Sequence, residues 1–451
     1  MSDNKNTSKT SIQVIIGLGK TGLSCARHLH HQKIPFAITD SRENPPGLSE
    51  FKQHFPDVPL SVGQLAPSFC LKASRLIVSP GVSLKTPVIQ EAIARGIPVI
   101  ADIELFAEHA KAPIIAITGS NGKSTVTTLV GEMAKKAGLN VGVGGNLGTP
   151  ALDLLSDTKS DLYVLELSSF QLESSFSLKP FAAVLLNLSE DHQDRYDTLS
   201  DYRLAKQRIY QHCQYAVANR QEAWLCQNAA FTFGTDAPMH ANEFGLREID
   251  NQHYLCQGQT PLIQTAALSI KGKHQLANAL AALALGHAFG LPLSAMLGAI
   301  QDFKGLAHRC QWIGTKNGVT WYNDSKATNV GAAQAALTGL GDAITGKLIV
   351  IAGGQGKKSD FTPLQAPLKK YARCLILIGE DAALIEEALT GSTDIQQAKT
   401  LPDAVALAEK NAQSGDVVIL APACASFDMF DHFEHRGEVF MAAVKDKIAL
   451  S

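Results

Sequence analysis

Short blocks of consecutive apolar residues alternate with stretches of helical period from one end of the chain to the other. Continuous apolar runs suit strands buried on both faces, and helical stretches between them suit crossover connections, so the pattern predicts βα units and parallel sheets. Three blocks separate. The first has strands at 12–16, 37–40, 75–79 and 99–100. The second starts near Asp102, with strands at 113–117, 161–167 and 181–188 and helices at 124–137 and 202–210. Residues 231–270 lose the helical period and read as β-hairpins, and an alanine-rich helix over 274–289 follows, its small side chains suited to close helix packing. The third block opens near Leu306, with strands at 319–322, 347–352, 374–378 and 417–420 and helices between them. The expectation is an α/β chain of three domains, 1–101, 102–305 and 306–451, each around a largely parallel sheet.

Length agrees, because 451 residues exceed what one core supports and suit about three domains of ordinary size. With 45% apolar and 18% charged residues and a net charge of -2, the chain reads as globular and lacks the basic stripe that a duplex nucleic acid demands. Its eight cysteines are scattered without a C-x-x-C pair, which argues against zinc and against a disulfide framework. No apolar run is long enough to span a membrane, and the polar start, 1–11, lacks the apolar core of a signal peptide. A cytoplasmic protein is expected.

The chemistry concentrates at strand ends. After the apolar run 113–117 comes T-G-S-N-G-K-S-T, residues 118–125. A phosphate chain wants several backbone N–H groups, a helix N-terminus, a lysine and a hydroxyl for Mg²⁺, and Gly119, Ser120, Asn121, Gly122, Lys123, Ser124 and Thr125 offer these. The full P-loop spacing asks for a glycine where Ile117 stands, so the loop is a variant. A second glycine turn, Gly17, Gly19 and Gly22 with Asp40 ending the next strand, matches G-x-G-x-x-G. Such a turn can hold a dinucleotide cofactor such as NAD or the diphosphate of a nucleotide substrate, because it offers N–H groups to either.

Further polar residues gather at carboxyl edges, where parallel sheets place ligand groups. Glu166 ends one strand, and Asp191 and His192 follow the next. In the third block, 323–329 (N-D-S-K-A-T-N) and 353–360 (G-G-Q-G-K-K-S-D) form polar turns that the pattern places on adjacent strands, although each could serve only as a loop with a helix N-cap. His308 and Arg309 lie at the joint between the second and third blocks. On pattern alone Lys206 reads as a solvated residue of a helix face.

The ordered strings I-T-G-S-N-G-K-S-T-V-T-T-L-V, G-G-N-L-G, L-E-L-S-S-F-Q-L-E, E-D-H-Q-D-R-Y, N-D-S-K-A-T-N and A-P-A-C-A-S-F-D together resemble the Mur ligases. The resemblance spans all but the polar start and parts of 231–270 and 380–400. It implies a Rossmann-like first domain for a UDP-sugar, a central P-loop-type ATPase domain, and a Rossmann-like third domain that admits an amino acid. NAD is then not required. The implied reaction is ATP-dependent amide formation through an acyl phosphate, with UDP-N-acetylmuramoyl-L-alanine and D-glutamate as substrates, two Mg²⁺ ions, and a monomeric enzyme.

By that resemblance, Gly17, Gly19, Thr21, Gly22, Asp40 and Arg42 hold the UDP portion, and Asn146, Ser168 and Gln171 touch the muramoyl part. Lys123 grips the ATP phosphates; Asn278, His308, Arg309 and Asp324 surround the nucleotide. Ser124 and Glu166 hold one Mg²⁺, and His192 with a carbamylated Lys206 holds the second, since carbamylation turns a cation into an oxygen ligand. Lys326, Thr328, Lys357, Ser426, Phe427 and Phe433 form the D-glutamate pocket. Lys20 and Phe427 stand where the family pattern has aliphatic residues, and Ala421 replaces a serine before Pro422.

Overall fold

The computed structural model describes residues 12–155, 159–189, 191, 195–196, 198–270 and 272–449. Its strands order into three sheets, of five, nine and six strands. By contacts the chain divides into two compact units: Met1–Thr118, Ala137–Leu185 and Tyr202–Ala216 in the first, and Gly119–Lys136, Leu186–Asp201 and Val217–Ser451 in the second.

In the first unit the five-stranded sheet runs in the order Leu60–Ser61, Phe36–Thr39, Gln13–Ile16, Arg75–Val78, Val99–Ile100, all parallel. Alternate residues of the strand Gln13–Ile16 feed different cores: Ile15 packs with Leu23, Leu29 and Ile38, whereas Val14 and Ile16 pack with Leu76, Val78 and Ile89. A strand covered on both faces must be apolar throughout, which is why it reads as an unbroken run. Strand order reverses between Gln13–Ile16 and Arg75–Val78, and a ligand crevice opens at such a switch point. Four more strands of this unit, Ala182–Leu185, Ile114–Thr118, Leu162–Glu166 and Val141–Gly145, pair in parallel in that order.

In the second unit the helix Lys123–Lys136 packs on the helices Lys273–Phe289 and Leu293–Asp302. The strands Glu243–Ile249, Gln252–Gln257 and Thr260–Gln264 form the expected antiparallel hairpins. The six-stranded sheet runs Gln311–Lys316, Val319–Asn323, Val417–Leu420, Leu348–Gly353, Ala372–Ile378, Asp394–Gln397. Ile349 and Ile351 feed one core while Leu348, Val350 and Ala352 feed the other, again a strand buried on both faces.

Two sequence expectations need correction. The turns at 323–329 and 353–360 do not follow adjacent strands, because Val417–Leu420 lies between theirs; its own exit loop, from Ala421, becomes a third edge loop beside them. The strands Leu60–Ser61, Val141–Gly145, Tyr215–Asn219, Gln311–Lys316 and Asp394–Gln397 carry no apolar run strong enough to read. Four of them lie at sheet edges or are glycine-rich or polar, where partial burial weakens the pattern.

Candidate active site

In the first unit the strand Gln13–Ile16 turns at Gly17, at φ +100, and the helix Lys20–His31 begins three residues later. A Cβ on Gly22 would meet the Gly17 carbonyl at 2.0 Å, so only glycine lets the helix close on the strand. Asp40 is buried below the turn, and its carboxylate accepts from the Leu18 N–H at 2.6 Å and from the Arg42 guanidinium at 2.7 Å. Burial pushes Asp40 upward in pKa, but the hydrogen bonds from Arg42 and from the Leu18 N–H outweigh it and hold the carboxyl below its ordinary range. Thr21 lies in the first turn of the same helix. The Lys20 ammonium donates to the Gly148 carbonyl at 2.5 Å.

Farther along this unit, Glu166 ends its strand as expected and is buried, with its Oε1 accepting from Asn146 Nδ2 at 2.8 Å. Ser168 caps the helix Ser169–Glu173 in a reciprocal box with Gln171. Gln171 also donates to Asp102 at 3.1 Å, so both ends of its amide are engaged. Lys206 is not a solvated face residue. Only 1% exposed, it lies against the Tyr202 ring and donates to Thr118 Oγ1 at 3.4 Å, because its helix, Leu199–Gln207, turns that position inward. His192 lies outside the described residues.

The second unit contains the variant phosphate loop. Its helix starts at Lys123, whose ammonium donates to the carbonyls of Gly119 and Ser120 at 2.9 and 2.8 Å. Gly122 sits at φ +84, and a Cβ there would fall 2.3 Å from Asn278 Oδ1; the glycine lets that amide approach the loop. Ser120 exchanges hydrogen bonds with the Ser189 backbone, and the Asn121 N–H donates to Asn187 Oδ1. Asn187 and Ser189 were not anticipated; their only sequence signal is a polar stretch just past an apolar run.

A cavity of 360 Å³ lies beside this loop, lined by Gly122, Thr125, Asn278, Arg309, Asp324 and Lys326 among others. Arg309 Nη2 donates to Ser124 Oγ at 2.5 Å. Asp324 is buried and accepts from the Cys310 N–H, and burial raises its pKa to about 6. His308 is buried too; its Nδ1 accepts from Asn323 Nδ2 at 2.9 Å, and burial lowers its pKa, so the neutral ring carries its proton on Nε2.

Three loops leave neighbouring strands of the six-stranded sheet, and one of them lines this cavity through Asp324 and Lys326. The Lys326 ammonium stands 3.8 Å from the centre of the Phe433 ring, a cation–π contact. The Thr328 N–H closes a tight turn on the Lys326 carbonyl. Lys357 pairs with Asp191 at 3.1 Å, and Asn329 reaches that same carboxylate while capping the helix Val330–Gly341. Ser426 is buried, whereas Phe427 is 70% exposed.

Three family models match in order: the Mur ligase MurD-like N-terminal domain over 11–101, the Mur ligase middle domain over 117–286, and the Mur ligase glutamate ligase domain over 308–424. The chain belongs to the Mur ligase family. This Mur ligase is 52% identical over 436 residues to the UDP-N-acetylmuramoylalanine–D-glutamate ligase of Pseudomonas putida, covering 96% of each chain. It is 51% identical to the enzyme of that name from Pseudomonas aeruginosa, covering 96% of this chain and 98% of the other. In fold it is similar to UDP-N-acetylmuramate-alanine ligase MurC of Thermotoga maritima, with a TM-score of 0.62 at 18% identity over 97% of this chain and 99% of that one. A MurF ligase of the same organism, in complex with ADP, gives 0.58 at 16% identity over 91% and 96%. The likeness supports three sheet-centred α/β domains.

Hard oxygen donors suit Mg²⁺, and the Glu166 carboxylate and Ser124 hydroxyl are of that kind. Among the described residues no group of three His, Cys, Asp or Glu side chains assembles into a metal cluster. No helix among them is long and apolar enough to cross a membrane.

Proposed function

We propose that this Mur ligase joins D-glutamate to UDP-N-acetylmuramoyl-L-alanine at the cost of ATP, in the assembly of peptidoglycan precursors. The observation that carries the reading is the second unit's cavity, where the phosphate loop, Arg309 and Lys326 line one space. The chain's likeness to the two Pseudomonas D-glutamate ligases supports it.

In this reading residues 1–101 bind the UDP portion, 102–305 bind ATP, and 306–451 admit the amino acid. The glycine turn with Thr21, Asp40 and Arg42 holds uridine diphosphate, while Asn146, Ser168 and Gln171 orient the muramoyl part. Gln171 must release one of its present hydrogen bonds to do so. A carboxylate oxygen of the terminal L-alanine attacks the γ-phosphorus, the bond to the β–γ bridging oxygen breaks, and ADP leaves. The amine of D-glutamate then attacks the acyl carbon, phosphate departs, and the nitrogen loses a proton.

Charge handling dominates such a transfer. Lys123 and Arg309 face the phosphate chain, and Asn278, His308 and Asp324 hold the nucleoside end. Two bound Mg²⁺ ions would neutralise phosphate and carboxylate oxygens, one held by Ser124 and Glu166, the other by His192 and a Lys206 carbamate. Lys326, Thr328, Lys357, Ser426, Phe427 and Phe433 receive D-glutamate, ammonium groups facing its carboxylates. The enzyme works as a monomer in the cytoplasm, without a nucleic-acid or membrane partner. Phosphate release is to be assayed with D-glutamate, L-lysine, L-alanine and diaminopimelate in parallel. D-glutamate alone should support turnover, and Lys123→Ala should abolish it; near-normal turnover in that variant sinks the reading.

A further inference from the structure

Arg436 has the largest fully buried side chain among the described residues, with no exposed surface. It sits in the first turn of the helix Phe433–Ala449. Its guanidinium donates to four carbonyls and one hydroxyl. Nε donates to Ser325 Oγ at 3.0 Å, Nη2 to the carbonyls of Ser325 and Cys424 at 2.9 and 3.1 Å, and Nη1 to those of Ala425 and Gly353 at 3.3 and 3.5 Å.

A buried cation is costly unless every donor is used, and the planar five-donor fork of arginine can satisfy several carbonyls at once where a lysine ammonium cannot. The acceptors here come from the carboxyl end of the strand Leu348–Gly353 and the exit loops of the next two strands along the sheet. One loop carries Lys326 and Thr328, one carries Ser426, one carries Lys357, and the helix itself carries Phe433. Ser325 Oγ also donates to the Phe433 carbonyl at 2.8 Å, which ties the helix start to the first loop. The middle loop holds Ala423 at φ +58, a conformation that an alanine keeps only when its surroundings impose it. Burial lowers the Arg436 pKa to about 10, still charged at neutral pH.

We infer that Arg436 is a positioning residue for amino-acid recognition: its guanidinium pins the three edge loops and the Phe433 helix start in one register, so that Lys326, Lys357 and Ser426 converge on the incoming dicarboxylate. The inference rests on the ligase reading above.

The test compares Arg436→Lys with Ser325→Ala, a milder change that removes one acceptor and the tie to Phe433, by steady-state kinetics for each substrate. Wild-type turnover that does not depend on D-glutamate would defeat the ligase reading before any variant is measured. With that dependence established, Arg436→Lys should raise KM for D-glutamate by about tenfold or more, as expected for lost hydrogen bonds to a charged group, and leave KM for ATP within about twofold. Ser325→Ala should shift in the same direction by a smaller factor. Equal rises in all three KM values, or an unchanged KM for D-glutamate in a folded variant, overturn the inference. Should Arg436→Lys fail to fold, Ser325→Ala decides alone, and an unchanged D-glutamate KM there rejects it.

Discussion

Arg309 Nη2 donates to Ser124 Oγ at 2.5 Å, joining residues 185 positions apart at the mouth of the phosphate loop. The loop 118–125 and the segment at 308–309 are thereby tied by a cation and a hydroxyl. A guanidinium in that place meets phosphate oxygens as readily as a hydroxyl. Replacing Arg309 by Ala should lower kcat for phosphate release by about 10²- to 10³-fold while the protein stays folded, the usual cost of deleting one aimed donor. Single-turnover phosphate release reads this directly, and a change below threefold in kcat would remove Arg309 from the chemistry.

Ser124 supplies a hydroxyl oxygen but no charge, so its role shows in metal demand more than in folding. Ser124→Ala should raise the Mg²⁺ concentration for half-maximal rate by about tenfold, the worth of one lost ligand. A magnesium titration of initial rates at saturating substrates checks it; an unshifted midpoint contradicts the assignment.

Lys326 stands 3.8 Å from the Phe433 ring centre, and each holds the other's place. Lys326→Ala and Phe433→Ala should each raise KM for D-glutamate, and the double variant should fall short of their sum by about 0.5–2 kcal/mol, the range of a cation–π coupling. Strict additivity in that double-mutant cycle would show that the two side chains act separately.

The buried Asp40 carboxylate accepts the Leu18 N–H inside the glycine turn. Asp40→Asn halves the acceptor capacity and leaves Arg42 without its counter-charge, so KM for the UDP substrate should rise by about tenfold, the cost of a charged hydrogen bond, with KM for D-glutamate unmoved. Kinetics with each substrate varied in turn distinguish this from general unfolding.

Burial lowers the His274 pKa from its ordinary 6.5 to about 4, so the folded ring is neutral where the unfolded one binds a proton. Stability therefore rises with pH between about 4 and 6.5 and is fully present above that window, by at most roughly 3 kcal/mol. Asp102 runs the other way: burial raises its pKa to about 6, and its contribution is lost as pH rises from about 4 through 6. Thermal unfolding of His274→Gln should show a weaker loss between pH 7.5 and 5 than the parent chain. Asp102→Asn should gain at pH 7.5 relative to pH 4.5. Parallel melting curves for parent and variants across that range would refute both assignments.

Much of the site was legible because its parts are local. The turn 17–22, the loop 118–125 and the turn 323–329 each need particular residues at fixed spacing in one short segment, and the apolar runs before them mark strands buried on both faces. The edge strand Gln311–Lys316 escaped because an edge position needs no such run. Asn187 and Ser189 escaped because they meet the loop 118–125 through a side-chain amide and a backbone N–H, groups that any polar stretch could offer.

By itself, the sequence determined the βα pattern, the two glycine turns that open helices and the family to which they belong, since each rests on residues close together in the chain. Only the tertiary structure decided which edge loops are neighbours, by setting Val417–Leu420 between Val319–Asn323 and Leu348–Gly353. It alone buried Lys206 and brought Arg436 onto Ser325, Cys424, Ala425 and Gly353. Sheet order and helix docking are chosen by long-range burial, and no local spacing records which distant carbonyls a guanidinium will meet.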